Sequence, residues 1–444
     1  MQQKEIIEAI KPTATAIADP SDYDGVLDLV GDAELVLLGE ASHGTHEFYR
    51  QRAEITKRLI VEKGFRTVAV EADWPDAYRI NRFVRNIGDD ATALDALEDF
   101  ARFPTWMWRN HDVLDFVSWL REFNDSAGGY DRQAGYYGVD LYSLFSSIEA
   151  VIGYLDKVDP EGAKRARERY SCFDHYGENS QAYGYATSFG ISRTCEDDVV
   201  TQLVDIRRKF ADYASRDGQI PPDEAFYAEQ NARLVANAET YYRSMFGGRT
   251  SSWNLRDRHM SETIDALADY FGRKTGNRRI VVWEHNSHLG DARATDMSRR
   301  GELNVGQLMR ESRGDAVRSI GFTTYTGTVT AASDWDGPAE RKHVRPGMSG
   351  SYEKLFHELG IGDLWLPLRG NEAAAAALQG PMLERAIGVI YRPETERMSH
   401  YFNASLPRQF DGVLHFDTTS AVEELAAPPP KHPEETPETY PSGI

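Results

Sequence analysis

Val36-Leu37-Leu38-Gly39-Glu40-Ala41-Ser42-His43-Gly44-Thr45-His46-Glu47 begins as an apolar run of strand length and ends in carboxylates and imidazoles. An uninterrupted apolar strand belongs to a sheet covered on both faces. In open α/β folds the functional groups collect beyond the carboxyl ends of such strands, where loops converge over a rigid frame. A second stretch has the same form: Arg279-Ile280-Val281-Val282-Trp283 runs directly into Glu284-His285-Asn286-Ser287-His288. Two strand tips therefore carry acid and histidine together.

Working outward, further strands are predicted over Glu34–Gly39, Thr67–Glu71, Ala134–Asp140, Val317–Thr324, Leu364–Leu368, Ala386–Tyr391 and Gly412–Phe416. Helical spacing fills most gaps, as in Phe48–Val61, with Gly64 as a stop. This alternation predicts an α/β fold with a largely parallel central sheet flanked by helices. Between Asp140 and Gly276 the strand signal disappears and amphipathic segments follow one another, at Pro160–Cys172, Glu196–Tyr213, Glu224–Met245 and Asn254–Phe271. We read this as an inserted all-helical lobe forming a cleft over the strand tips, with the polar stretch Gly177–Gly190 as a loop lining it. The expected division is a first half of the core over 1–140, the lobe over 141–276, the second half over 277–419, and a disordered Pro/Glu-rich tail over 420–444.

Composition narrows the function classes. The 444-residue chain has a formal net charge of -20 and no basic stripe, which argues against a nucleic-acid partner. Its apolar runs are too short for a membrane span, and the start Met1-Gln2-Gln3-Lys4-Glu5 has no apolar signal region, so the expectation is a cytoplasmic protein. The two cysteines, Cys172 and Cys195, lack a CxxC spacing and read as reduced thiols. Neither a Walker A loop nor a GxGxxG after a strand is present, and Ser42 and Ser287 do not sit in a GxSxG elbow.

The chemistry-bearing residues suit proton transfer. A histidine can deprotonate water while a nearby carboxylate fixes its tautomer, which fits His43 with Glu40; the alternative is a helix-capping Glu40 and a His43 that satisfies loop backbone. Glu71 ends an apolar strand and needs a cationic partner, for which Arg52 is the expected mate, either as a structural ion pair or to place positive charge near a tetrahedral intermediate. His46 joins His43, His285 and His288 as an alternative set of ligands to a divalent metal such as zinc. His46, Trp74, Trp106 and Tyr401 are candidate substrate-binding residues, with core or interlobe packing as the other reading of Trp106.

Together, Gly39-Glu40-Ala41-Ser42-His43 with Glu47-Phe48 and Arg52, Val70-Glu71-Ala72-Asp73-Trp74, Arg256-Asp257 with Met260, His285-Asn286-Ser287-His288 and Pro393-Glu394-Thr395-Glu396-Arg397 with Tyr401-Phe402 resemble the erythromycin esterase family. That family includes macrolide-lactone hydrolases tied to antibiotic resistance and relatives labelled as succinoglycan biosynthesis proteins. The resemblance implies an α/β core with a helical lobe, and ester or lactone hydrolysis by water that a histidine activates without a covalent intermediate or cofactor. Carried over, the base falls on His43 and its orienting carboxylate on Glu40, with Arg52, Glu71, His285 and His288 as the remaining polar shell. The stretches Ala72–Tyr78 and Arg102–Asn110 look like the branch of unassigned substrate. Two other classes stay open at this point: a metal-dependent hydrolase using the four histidines, and a non-catalytic metal- or haem-binding or polysaccharide-assembly accessory protein.

Overall fold

The computed structural model describes residues 3–176, 179–216 and 223–426. Its strands are β1 (Thr15–Ala16), β2 (Leu35–Leu38), β3 (Thr67–Asp73), β4 (Gly135–Asp140), β5 (Ile280–Trp283), β6 (Val317–Ala331), β7 (Glu340–Val344), β8 (Leu364–Pro367), β9 (Met382–Arg385), β10 (Tyr401–Ala404) and β11 (Gly412–Thr419). Nine of them form one sheet in the order β1-β8-β11-β6-β2-β5-β3-β4, with β7 paired to β6, while β9 and β10 make a separate ribbon. The block from β11 through β4 is parallel, and β1, β7 and β8 add antiparallel edges. This is the expected mixed, mostly parallel sheet flanked by helices.

Every residue of β2, β3, β4 and β5 is buried, because apolar layers cover both faces. Alternate side chains enter opposite layers, as the strand period of two requires. Val36, Leu38, Val68, Val70, Val281 and Trp283 pack with Phe48, Ile55 and Leu59 of the helix His46–Lys63 and with Phe116 and Leu120 of the helix His111–Ser126. Leu35, Leu37, Ala69, Ile280 and Val282 face the other way, onto Leu234, Met260, Ile264 and Leu267. That second layer is built by helices at Leu144–Val158, Pro160–Tyr170, Ser180–Ser188, Glu196–Arg216, Glu224–Ser244 and Arg249–Thr275. The helical segment thus lies directly on one face of the sheet.

Four expectations are corrected. Ala386–Tyr391 is buried but not a strand: Ile387 bridges Ser42 and Ile390 bridges Ala332, so the segment threads past the strand tips, and its apolarity reports burial rather than ladder pairing. The stretch expected as a loop over Gly177–Gly190 contains the helix Ser180–Ser188, started by Asn179 accepting from the Ala182 amide; Gly177 itself lies outside the described residues. Cys172 and Cys195 are bonded to each other, with Cα atoms 5.9 Å apart. The expected tail boundary at 420 falls too early, since Val422 and Leu425 are buried and their amides donate to Gly44 and Arg109 carbonyls; from 427 onward the tail lies outside the described residues.

Candidate active site

The tip of β2 and the tip of β5 meet. The Asn286 amide donates to the Glu40 carbonyl at 2.8 Å, and the Asn286 side chain is held by both backbone groups of Phe322 on β6. The His43 and His285 rings consequently stand 4.9 Å apart between centroids. Residues far apart in sequence are neighbours because β2 and β5 are adjacent and parallel, ending at the same level with Leu38 opposite Trp283.

His43 donates from Nδ1 to Glu40 Oε1 at 2.9 Å, with both side chains 1% exposed. Nε2 is thereby left with the lone pair. Burial favours the neutral ring, yet the Glu40 hydrogen bond and the charges of Glu71 and Glu40 outweigh it and raise the His43 pKa above 6.5. Arg52 lies 2.6 Å from the other Glu40 oxygen and is enclosed by the rings of Tyr49 and Trp283, at 4.5 and 5.2 Å. It is the mate of Glu40 and not, as expected, of Glu71; six residues past His46 on the helix His46–Lys63, it lies against Trp283.

The mate of Glu71 is Arg256. Its guanidinium reaches Glu71 Oε1 at 2.7 Å and Asp140 Oδ2 at 2.6 Å, and donates to His288 Nε2 at 3.1 Å. Since an arginine only donates, His288 Nε2 accepts and its Nδ1–H goes to Asp257 at 2.9 Å. Trp253 stacks on the His288 ring at 4.5 Å. Trp253, Arg256, Asp257 and Met260 recur at helical spacing and form the stripe by which the helix Arg249–Thr275 faces the strand tips. Burial opposes ionisation of Glu71, but the histidines and Arg256 around it, with the His285 amide at 2.8 Å, hold it far below the usual carboxylate range.

His285 has the opposite character to His43. Its Nδ1 accepts from the Ser287 amide at 3.1 Å, placing the proton on Nε2, which has no aligned hydrogen-bond partner among the described residues. Burial, then the neighbouring His43, push its pKa well below 6.5, with the Ala41 carbonyl offsetting this only in part. A neutral imidazole N–H therefore stands beside the His43 base.

Sequence reasoning thus named residues that meet (Glu40, His43, Arg52, Glu71, His285 and His288) and others that stand apart. His46 turns away to Asp112 at 2.8 Å on the helix His111–Ser126. This takes one nitrogen ligand from the four-histidine zinc set, and among the described residues no three His, Cys, Asp or Glu side chains converge as metal ligands would. Trp74 is core, stacked on Tyr137 at 5.7 Å and sharing the lobe-facing layer. Trp106 is buried edge-on against Phe103 in the opposite layer. Tyr401 lies on β10, where its hydroxyl accepts from the Met348 amide at 3.2 Å. Trp253 was missed, and Asp140, Arg256, Asp257 and Glu284, though quoted within strands or motifs, were given no role in the site. The available signal was charge inside an apolar stripe at Arg256-Asp257, and a carboxyl continuing the β5 run at Glu284.

Comparison with known proteins agrees with this fold. The family model described as erythromycin esterase matches residues 60–419. Erythromycin esterase type II of Escherichia coli is 21% identical over 419 residues, covering 90% of this chain and 93% of that protein. The crystal structure of a succinoglycan biosynthesis protein superposes with a TM-score of 0.75 at 20% identity, over 95% of this chain and 98% of its own. A mutant of the erythromycin esterase EreC in its open conformation gives 0.60 at 17% identity, over 93% and 97%. With a family model that matches residues 60–419, well over half of its length, this chain belongs to the erythromycin esterase family.

Proposed function

We propose that this protein hydrolyses a carboxylic ester or lactone with water activated directly by His43. The carrying observation is the buried Glu40–His43 pair, bonded at 2.9 Å, with the neutral His285 ring 4.9 Å away. Glu40 fixes the tautomer that leaves His43 Nε2 as base and stabilises the imidazolium formed when a water proton is taken. Arg52 acts through Glu40 as a positioning residue. His285, kept neutral, offers its Nε2–H to the oxyanion that develops on the carbonyl, a role for which a buried donor already fixed in place costs little reorganisation. Glu71 anchors the His285 backbone, so the donor keeps its place.

In this reading the substrate is a small-molecule ester or macrocyclic lactone and the reaction needs no cofactor. Family membership and the named relatives support hydrolysis; what supports an ester is a base with a neutral donor ring 4.9 Å away, while Ser42 Oγ is occupied with Thr45. The test is turnover of a panel of macrolides and simple esters by wild type and His43→Ala. We expect the variant to lose roughly 10²–10⁴-fold in kcat/KM, the range of general-base catalysis. A variant that keeps most of its activity overturns the assignment.

A further inference from the structure

Hydrolysis at this site needs a proton for the departing alkoxide, either returned by the His43 imidazolium or delivered by a separate acid. His288 cannot supply it, because its Nδ1–H is held by Asp257 and its Nε2 accepts from Arg256. Glu71 cannot, because it is ionised against Arg256. The described site contains another carboxyl, Glu284, placed by strand register. β3 and β5 run parallel with Val70 opposite Trp283, and Glu71 and Glu284 are the residues that follow this last matched pair on the two chain segments. Glu284 is 0% exposed, and neither of its oxygens has a hydrogen-bond partner among the described residues.

We propose that Glu284 is the general acid of this site, entering the reaction protonated and delivering its proton to the leaving alcohol oxygen. Two adjacent carboxyls in one dry site cannot both ionise freely, and their environments separate them: Glu71 has the cation, Glu284 has none. The groups facing Glu284 are Glu71 on β3, Asp257 and Arg256 on the helix Arg249–Thr275, and Asp140 at the end of β4; burial and the acids among these outweigh Arg256 and keep its proton on well above the usual carboxylate range. Glu284 directly precedes His285, whose ring stands 4.9 Å from that of His43, so the carboxyl and the base belong to the same pair of strand tips. The balance closes. Water oxygen bonds to the carbonyl carbon as its proton passes to His43 Nε2, the bond from carbon to the alcohol oxygen breaks as that oxygen takes the Glu284 proton, and the His43 proton then returns to Glu284 through solvent.

This inference rests on the esterase reading, and the experiment separates the two. One acyl group is presented on a series of leaving alcohols from simple alkyl to nitrophenyl, to wild type, His43→Ala and Glu284→Gln. Wild-type rates should vary little along the series. Glu284→Gln should lose at least about 100-fold on the alkyl ester, at least tenfold more than on the nitrophenyl ester, whose leaving group needs no proton, and should lose the alkaline limb of the pH profile. Equal losses on both esters, or none, overturn the acid role while leaving the His43 base standing. Should Glu284→Gln fail to fold, the wild-type series decides: a steep dependence on leaving-group acidity overturns the inference. A wild type inert to the whole series, or unaffected by His43→Ala, overturns the esterase reading and this role with it.

Discussion

Protonation at His43 is a contest between burial, which favours the neutral ring, and Glu40 with Glu71, which win and raise its pKa above 6.5. A base must be neutral to work, so kcat/KM should climb with pH along a limb centred above 6.5. Glu40→Gln removes both the charged acceptor and one of the two charges, so that limb should move toward acid as the rate falls; a pH–rate profile in which it does not move contradicts the dyad. Arg256 carries a different load. It neutralises Glu71 and Asp140 and donates to His288, all buried. Arg256→Ala leaves those carboxylates unpaired in a dry interior, and we expect a loss of about 3–5 kcal/mol by chemical denaturation. The sign of the pH dependence follows from Glu71. Its pKa is lowered in the fold, so its contribution is present above the unfolded value of 4.5 and disappears as pH falls through the folded value.

At the scale of elements, the loop that bears His43 is clamped from outside the sheet. Gly44 offers its carbonyl to the Val422 and Thr330 amides, His46 donates its amide to the Ser420 carbonyl, and Glu47 accepts from the Ser420 amide and hydroxyl at 2.8 Å each. The segment after β11 is therefore a strap that holds the loop after β2. A methyl at Gly44 would drive into the Thr330 carbonyl, which is backbone and cannot swing aside. Gly44→Ala should cost about 1–3 kcal/mol and lower kcat more than it raises KM, which a melting curve and steady-state kinetics would show together. An unchanged melting temperature would mean that the loop is free to shift.

Over the whole molecule, the lobe is tied internally by the Cys172–Cys195 bond, which joins the end of the helix Pro160–Tyr170 to the start of the helix Glu196–Arg216 across a separation of 23 residues. Closing a loop of that length is worth about 3 kcal/mol in the chain-entropy account. Titration of the denatured, unreduced protein should find neither thiol free, and paired Cys172→Ser and Cys195→Ser should lower stability by about that amount. Two titrating thiols would refute the pairing.

Much of this fold was legible from residues alone. β2, β3, β4, β5 and β11 are short apolar runs whose buried faces leave them no structure but a covered sheet, and the acid and histidine after β2 and β5 could only cap its ends. Ala386–Tyr391 misled because burial, not pairing, was what its composition encoded. The helical stripe of Trp253, Arg256 and Asp257 was readable as buried, but not as aimed at His288. So the sequence by itself determined the sheet, its covering helices and the residues able to move protons, because strand and helix periods are local properties. Only the tertiary structure decided that β2 and β5 are neighbours, that Arg52 serves Glu40 while Arg256 serves Glu71, that His46 leaves the cluster, and that Cys172 meets Cys195. Each of those depends on strand order and helix placement, which arise from packing across the whole chain rather than from any window of it.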